Sequence, residues 1–351
     1  MTTYFGERQR VGDRFFADAQ LELFGRHEIA TSVLLRGISG FGAKHQLRTD
    51  RLLTLSEDLP LVSVALDSRA KIEAVADELS DLAHRGLVTL ERARLVRDEL
   101  GSIELPEELR EATKLTVYVG RQERVYRAPA FAAICELLHR RGVDGATVFL
   151  GVDGTSHGRR SRARFFATNA EVPMMIIAVG TGQTIARVLP ELGGLLRRPM
   201  VSVERVRVCK RDGELINRPH PLPCRDHLGT PLWQKLMVYT SERSRRGGEP
   251  IHRALVRRLR ASAARGATVL RGIWGFHGQL PPHGDRIWQL GRSVPVCTII
   301  IDSPDRIGAS FDIVDELTTE HGVVTSEMVP ALAWVTEDRP TSRPRLARHR
   351  F

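Results

Sequence analysis

Cysteine is scarce in this chain of 351 residues: Cys135, Cys209, Cys224 and Cys297 are the only four, and none forms a CxxC pair. A chain of this length can bury its own core without a disulfide framework, so these cysteines point to a reducing compartment. Aromatic residues make up 6% against 42% apolar residues overall, so the cores must be mainly aliphatic. No run approaches the about 18 apolar residues of a membrane span. The opening MTTYFGERQR has no apolar leader. The chain therefore reads as cytoplasmic, soluble and not membrane-inserted. Signatures of catalysis are missing as well: there is no Ser-His-Asp order, HExxH, P-loop or nucleophilic cysteine pattern, which argues against an enzyme. What the chain does have is positive charge, 52 Lys+Arg against 42 Asp+Glu for a balance of +10. That balance suits a partner carrying phosphates or other anions.

Internal repetition dominates the rest. RGISGFG (36–42) returns as RGIWGFHG (271–278), and the lead-in to both returns a third time in GATVFLGVDGTSHG (145–158). Upstream lie TTYFGERQR, LTVYVGRQER and LMVYTSERSR; downstream lie DLPLVSVAL, EVPMMIIAV and SVPVCTIII. The spacing from Tyr4 to Pro60, Tyr118 to Pro173 and Tyr239 to Pro295 differs by at most one residue. LVTLERARLV, MVSVERVRVC and the weaker VVTSEMVPAL close the three copies.

Periodicity gives each copy the order β-α-β-β-α-β. The first helices are expected near 13–26, 128–141 and 250–265, and the second near 69–83, 181–195 and 303–320. Between the first helix and the next proline-led strand, a strand ends in the glycine-rich loop. This is the split-βαβ or ferredoxin-like pattern, an α+β class in which both helices cover one face of an antiparallel sheet. The other face must then be covered or hydrated. The chain divides into repeat 1 (1–96), an acidic linker (97–113), repeat 2 (114–209), a proline-rich linker (210–234), repeat 3 (235–332) and a basic tail (333–351) whose end, TSRPRLARHRF, reads as disordered.

Y-x-G-E-R, VLLRGISGFG, LSEDLPLVSVALDS and GLVTLERARLV together resemble the PII-like signalling proteins, in particular their branch named domain of unknown function 190. PII-like proteins are ferredoxin-like homotrimers that bind adenine nucleotides in clefts between subunits and signal to transporters or enzymes. The resemblance implies an intramolecular pseudo-trimer with three such clefts. It further implies an adenine nucleotide ligand (ATP, ADP, AMP or cyclic AMP) and a membrane transporter or regulated enzyme as partner, contacted through loops 38–50, 153–166 and 274–286.

The repeated residues suit such a ligand. Gly37, Gly40 and Gly42, then Gly151, Gly154 and Gly158, then Gly272, Gly275 and Gly278 allow close approach to the backbone. Free N–H groups there can form an anion nest. Arg36, Lys44 and His45 flank the first copy, His157 with Arg159 and Arg160 the second, Arg271 and His277 the third. Repeat 2 departs by having Leu150 in place of the arginine and Asp153 in the loop. In the last strands Arg92 and Arg94, and Arg205 and Arg207, alternate onto one face, and repeat 3 has no arginine there. The turns ERQR (7–10), RQER (121–124) and ERSRR (242–246) are charged in every copy and either reach a phosphate or form a solvated surface. His220, Cys224 and His227 in the second linker offer three zinc-type ligands without a fourth, so no metal site is expected.

Two other readings stay open. One is a nucleic-acid-binding protein on the same scaffold, although the strands lack the stacking aromatics that RNA modules use. The other is a ligand-free protein that docks onto a membrane transporter.

Overall fold

The computed structural model describes residues 1–42, 45–46, 48–49, 58–82, 86–97, 100, 112–156, 159–160, 172–278, 280–284, 294–320, 322–335 and 346–348. It is an α+β protein with six helices and antiparallel sheets. Repeat 1 has strands Thr2–Gly6, Thr31–Phe41, Pro60–Leu66 and Gly86–Leu90, with helices Phe16–Arg26 and Arg69–Leu82. Repeat 2 has strands Thr113–Gly120, Gly145–Leu150, Pro173–Gly180 and Met200–Arg205, with helices Ala130–Arg140 and Gly182–Leu195. Repeat 3 has strands Trp233–Ser241, Ala267–Arg271, Pro295–Asp302 and Val323–Val329, with helices Ile251–Ala261 and Pro304–Leu317. The first helix of each repeat starts later than its periodicity suggests. A short hairpin (Arg10–Val11 with Arg14–Phe15, and its two counterparts) occupies the charged turn before it.

Within every repeat the strands lie in the order second, third, first, fourth, each pair antiparallel. The register repeats as well: Tyr4 faces Val62, Tyr118 faces Met175 and Tyr239 faces Cys297. Each of these partners stands two residues after the proline that opens the third strand.

Strand Pro173–Gly180 is buried along its whole length, as is Pro295–Asp302. Neither shows the polar alternation of a half-solvated strand. The reason lies in the burial pattern. One face of each sheet packs on its own helices, giving three separate cores around Phe24 and Leu79, Ile134 and Val188, and Leu255 and Phe311. The opposite faces meet in a fourth core, where Leu35 and Val62 of repeat 1, Phe149 and Ile177 of repeat 2, and Leu270 and Ile299 of repeat 3 pack together. The face that needed covering is covered by the other repeats.

The repeats close on one another through two rings of strand pairing. Past the glycine-rich segment, each repeat lends a strand to a neighbour's second strand. Ser39–Phe41 of repeat 1 run along Ala267–Val269, Asp153–Ser156 of repeat 2 along Thr31–Leu34, and Trp274–His277 of repeat 3 along Gly145–Val148. Past the fourth strand a second loan runs the other way round. Arg94–Arg97 pair with Met200–Val203, Arg207–Arg211 with Val323–Ser326, and Ala331–Val335 with Gly86–Leu90.

This pairing corrects the expectation of a glycine-rich loop. Residues 36–41 belong to a strand, and so do 153–156 and 274–277. Of the remaining parts of the expected partner-contacting loops, 43–44, 47, 50, 157–158, 161–166, 279 and 285–286 lie outside the described residues, and Arg48–Thr49, Arg159–Arg160 and His283–Gly284 are short strands. The basic tail is likewise not wholly free: Ala347 is buried, its N–H donates to Pro330 O at 2.7 Å, and the Arg348 N–H donates to Asp226 Oδ2 at 2.7 Å.

Candidate functional site

The repeated glycines stand where one repeat's backbone crosses another's. A Cβ on Gly40 would lie 2.6 Å from Ala267 O, one on Gly154 2.1 Å from Ser32 O, and one on Gly275 2.2 Å from Ala146 O. Gly37, Gly151 and Gly272 face instead the proline of their own third strand, where a Cβ would lie 2.8 Å, 2.2 Å and 2.9 Å from Pro60, Pro173 and Pro295. Only glycine fits such crossings. A Cβ on Gly42 would meet nothing within 4 Å. Gly278 adopts φ +55 beside Asp212. Lys44, His157 and Gly158 lie outside the described residues.

The flanking arginines are paired within their own repeat. Arg36 Nη2 bonds Glu7 Oε2 at 2.8 Å and Arg271 Nη2 bonds Glu242 Oε2 at 2.9 Å. In repeat 2 both members change together: Arg121 stands in the register of Glu7 and Glu242, and Leu150 in that of Arg36 and Arg271. The missing arginine of repeat 2 is therefore half of a missing ion pair.

The last-strand arginines sit where the chain passes from one sheet to the next. Arg92 precedes Arg94–Arg97 and donates to Ala347 O of the tail at 3.1 Å. Arg207 Nη1 meets the His220 ring at 2.9 Å, and its Nη2 donates to Asn217 Oδ1 at 3.2 Å. The second linker therefore packs on Arg207, and the tail touches Arg92, which stays exposed. Arg94 and Arg205 are exposed and half-buried at the same crossings. Repeat 3 places Met328 and Pro330 at these positions, and the chain kinks there between Val323–Val329 and Ala331–Val335.

His45 stacks on Phe41 at 5.7 Å and has φ 51. His277 lies between repeats 2 and 3, opposite Gly145. Both its ring nitrogens are sealed from solvent, with the Thr240 backbone beside the ring favouring its charged form. Burial, only partly opposed by Asp212, pulls its pKa down to about 4. His220, Cys224 and His227 do not come together. His220 is held by Arg207, and Cys224 Sγ donates to Asp305 Oδ1 at 3.5 Å. Among the described residues, the single gathering of three metal-type ligands is Glu91, Glu204 and Glu327, with oxygens within 4.8 Å of one another.

That gathering is the part of the molecule the sequence reading missed. The three glutamates occupy the same repeat position, Glu204 and Glu327 within the fourth strand and Glu91 directly after it, and Lys114 and Lys235 stand four residues before Tyr118 and Tyr239. The recurrence was visible in ERARL, ERVRV and SEMVP, but it gains meaning only when the three sheets meet. There the charges alternate. Glu204 meets Lys114 at 3.1 Å, Lys114 meets Glu327 at 2.6 Å, and Glu327 meets Lys235 at 3.0 Å. Lys235 meets Glu91. Burial pushes the Glu91 carboxyl up, yet the Lys235 and Lys114 ammoniums outweigh it and hold its pKa at about 2. Glu204 is raised by burial, which Lys114 offsets only in part. Both lysines are held above their ordinary value by the carboxylates in spite of burial.

No helix of the described residues is long and apolar enough to cross a membrane. The DUF190 family, described as "Uncharacterized ACR, COG1993", matches the chain three times, at residues 1–95, 112–208 and 233–331. A curated relative, the UPF0166 protein of Aquifex aeolicus (strain VF5), is 31% identical over 98 residues, which make up 28% of this chain and 90% of that protein. One repeat here thus corresponds to nearly the whole of that relative. Three tandem matches across the chain, each on one β-α-β-β-α-β unit, place this protein in the DUF190 family of PII-like proteins.

Proposed function

We propose that the chain is a non-enzymatic PII-like sensor, a single-chain counterpart of the family's trimer, built of three ferredoxin-like units. It takes an adenine nucleotide or a related phosphate-bearing anion at the junctions between repeats and signals to a partner protein, a transporter or a regulated enzyme, through the segments that follow the strand crossings. The observation that carries this reading is the cyclic closure of three family-matched repeats. It creates, within one chain, three junctions of the kind that single-repeat relatives could build only between chains.

The glycines and the cations then have different tasks. The glycines make the crossings possible. Phosphate contact falls to Arg36, Arg92, Arg94, Arg205, Arg207 and Arg271, which border the crossings, with Lys44 and the histidines beside them. Arg36 and Arg271 must leave Glu7 and Glu242 to serve a ligand. The junctions are unequal, because repeat 2 has neither member of that ion pair and repeat 3 has Met328 and Pro330 in place of the two arginines.

Calorimetric titration with ATP, ADP, AMP and cyclic AMP tests the proposal. Binding of at least one nucleotide, with fewer than three equal sites, is the expected result. Absence of heat for all four from micromolar to millimolar ligand overturns it.

A further inference from the structure

Each repeat carries the same short hairpin ahead of its first helix, and each hairpin turns on two residues. An arginine holds every turn. Arg10 Nη1 donates to Asp13 O at 3.2 Å, Arg124 Nη1 to Arg127 O at 2.7 Å and Arg245 Nη1 to Gly248 O at 2.7 Å. The first turn residue has a positive φ in all three copies: 57 at Gly12, 54 at Tyr126 and 56 at Gly247. Such turns call for glycine there, and repeats 1 and 3 have it. Repeat 2 has a tyrosine, whose Cβ comes too close to the carbonyl oxygen in this conformation. Packing does not offset that strain, because Tyr126 is 93% exposed. A strained aromatic residue held out in solvent points to binding rather than to folding.

The charges around it say what it binds. Arg121, Arg124 and Arg127 are exposed in the same hairpin. Arg127 takes the place of Asp13 and Gly248. Arg121 takes the place of Glu7 and Glu242, which hold Arg36 and Arg271 in the other two repeats. We propose that this hairpin binds single-stranded nucleic acid: a base stacks on the Tyr126 ring, and Arg121, Arg124 and Arg127 meet the flanking phosphates. Aromatic rings set among cations take single strands in this way without reading their sequence. In a duplex the bases stack on one another and leave no face for the ring. A protein partner fits less well. An aromatic hot spot between proteins is surrounded by residues that exclude water, whereas the neighbours of Tyr126 in the hairpin are exposed arginines. The balance of +10 over the whole chain also favours a polyanion. The inference does not rest on nucleotide binding at the junctions, because Tyr126 lies in a turn outside every strand crossing between repeats.

The test uses the full chain and a fluorescein-labelled oligothymidylate of about 12 nucleotides, a length suited to one such surface, followed by fluorescence anisotropy. The single strand should bind more tightly than its duplex with oligoadenylate, and binding should weaken as salt rises from about 50 to 200 mM. Tyr126→Gly should weaken it about tenfold, while Tyr126→Trp, which keeps a stacking face, should bind as the parent does. Glycine suits the turn, so Tyr126→Gly should unfold no earlier than the parent, and misfolding cannot account for the lost affinity. Its calorimetric titration with mononucleotides should match that of the parent. The inference is overturned if Tyr126→Gly binds the oligonucleotide as tightly as the parent, or if duplex and single strand bind alike. Absence of binding by the parent overturns it too, and leaves the hairpin to a protein partner. A change in mononucleotide binding in Tyr126→Gly overturns it by placing the ring in a junction site.

Discussion

Ser32 and Gly154 come from different repeats, yet Ser32 O lies 2.1 Å from where a Cβ of residue 154 would stand. Thr155 beside it ties the two repeats further. Its N–H donates to Ser32 Oγ at 3.0 Å, and the two hydroxyls meet at 2.9 Å. Gly154→Ala must therefore push two paired strands apart. It should cost about 1–3 kcal/mol or more, read by denaturant unfolding. Gly42→Ala, with nothing within 4 Å of its Cβ, should stay within about 0.5 kcal/mol of the parent. If the two substitutions cost the same, the crossing is not the reason for the glycine.

This relationship also marks where sequence reasoning reached and where it stopped. The repeats, the element order and the shared register of Tyr4, Tyr118 and Tyr239 are local or strictly periodic, and they could be read directly. The strand character of 36–41 could not. A glycine-rich segment after a strand has the composition of a turn, and the force that extends it is a partner strand more than 200 residues away, Ala267–Arg271. Arg36 looked like a free cation because its partner, Glu7, lay in a turn whose charge served equally well as a solvated surface. Glu91, Glu204 and Glu327 failed to register for a similar reason: within one repeat each is a single acid at a strand end, and only the meeting of three sheets makes them neighbours.

The Arg36–Glu7 pair is half exposed on the arginine side, so its own contribution to stability should be under about 1 kcal/mol in a double-mutant cycle. Its effect on ligand binding should be larger. If Arg36 serves a phosphate, Glu7 competes for it, and Glu7→Gln should tighten nucleotide binding while Arg36→Ala weakens it by about tenfold or more. Calorimetric titration of both variants decides the matter. Weaker binding in Glu7→Gln would mean that the pair itself, rather than a released Arg36, forms the site.

His277 gives the fold a sensitivity to mild acid. Its pKa is about 4 in the folded chain against an ordinary 6.5. The unfolded chain therefore takes up a proton on this ring before the folded chain does. Stability from this group is complete above about pH 6.5 and is lost as pH falls towards 4, by at most about 3 kcal/mol. Unfolding temperature against pH, compared between the parent chain and His277→Gln, should show the slope between pH 4 and 6.5 in the parent alone. Asp212 and His283 face the ring, so the difference between the two curves is the quantity to read. The buried carboxylate Glu91, with its pKa held at about 2 against an ordinary 4.5, acts in a separate window. Its contribution is complete above about pH 4.5 and disappears as pH falls towards 2.

The buried set of Glu204, Lys114, Glu327, Lys235 and Glu91 should respond to substitution in two opposite ways. Lys235 serves both Glu91 and Glu327, and all three are buried or nearly so. Removing it alone leaves Glu91 without its ion-pair partner and Glu327 with Lys114 as its remaining one. Lys235→Met should therefore destabilise the chain by about 3–5 kcal/mol and raise the pKa of Glu91, moving its acid transition to higher pH. Replacing the whole set at once, with methionine for Lys114 and Lys235 and leucine or methionine for Glu91, Glu204 and Glu327, removes the charges together with the cost of burying them. That variant should be close to the parent in stability or above it, judged by denaturant unfolding at neutral pH. A single Lys235→Met that cost no more than the Arg36–Glu7 pair would show that water reaches these charges freely, and the set would then be a hydrated cluster whose charges are screened.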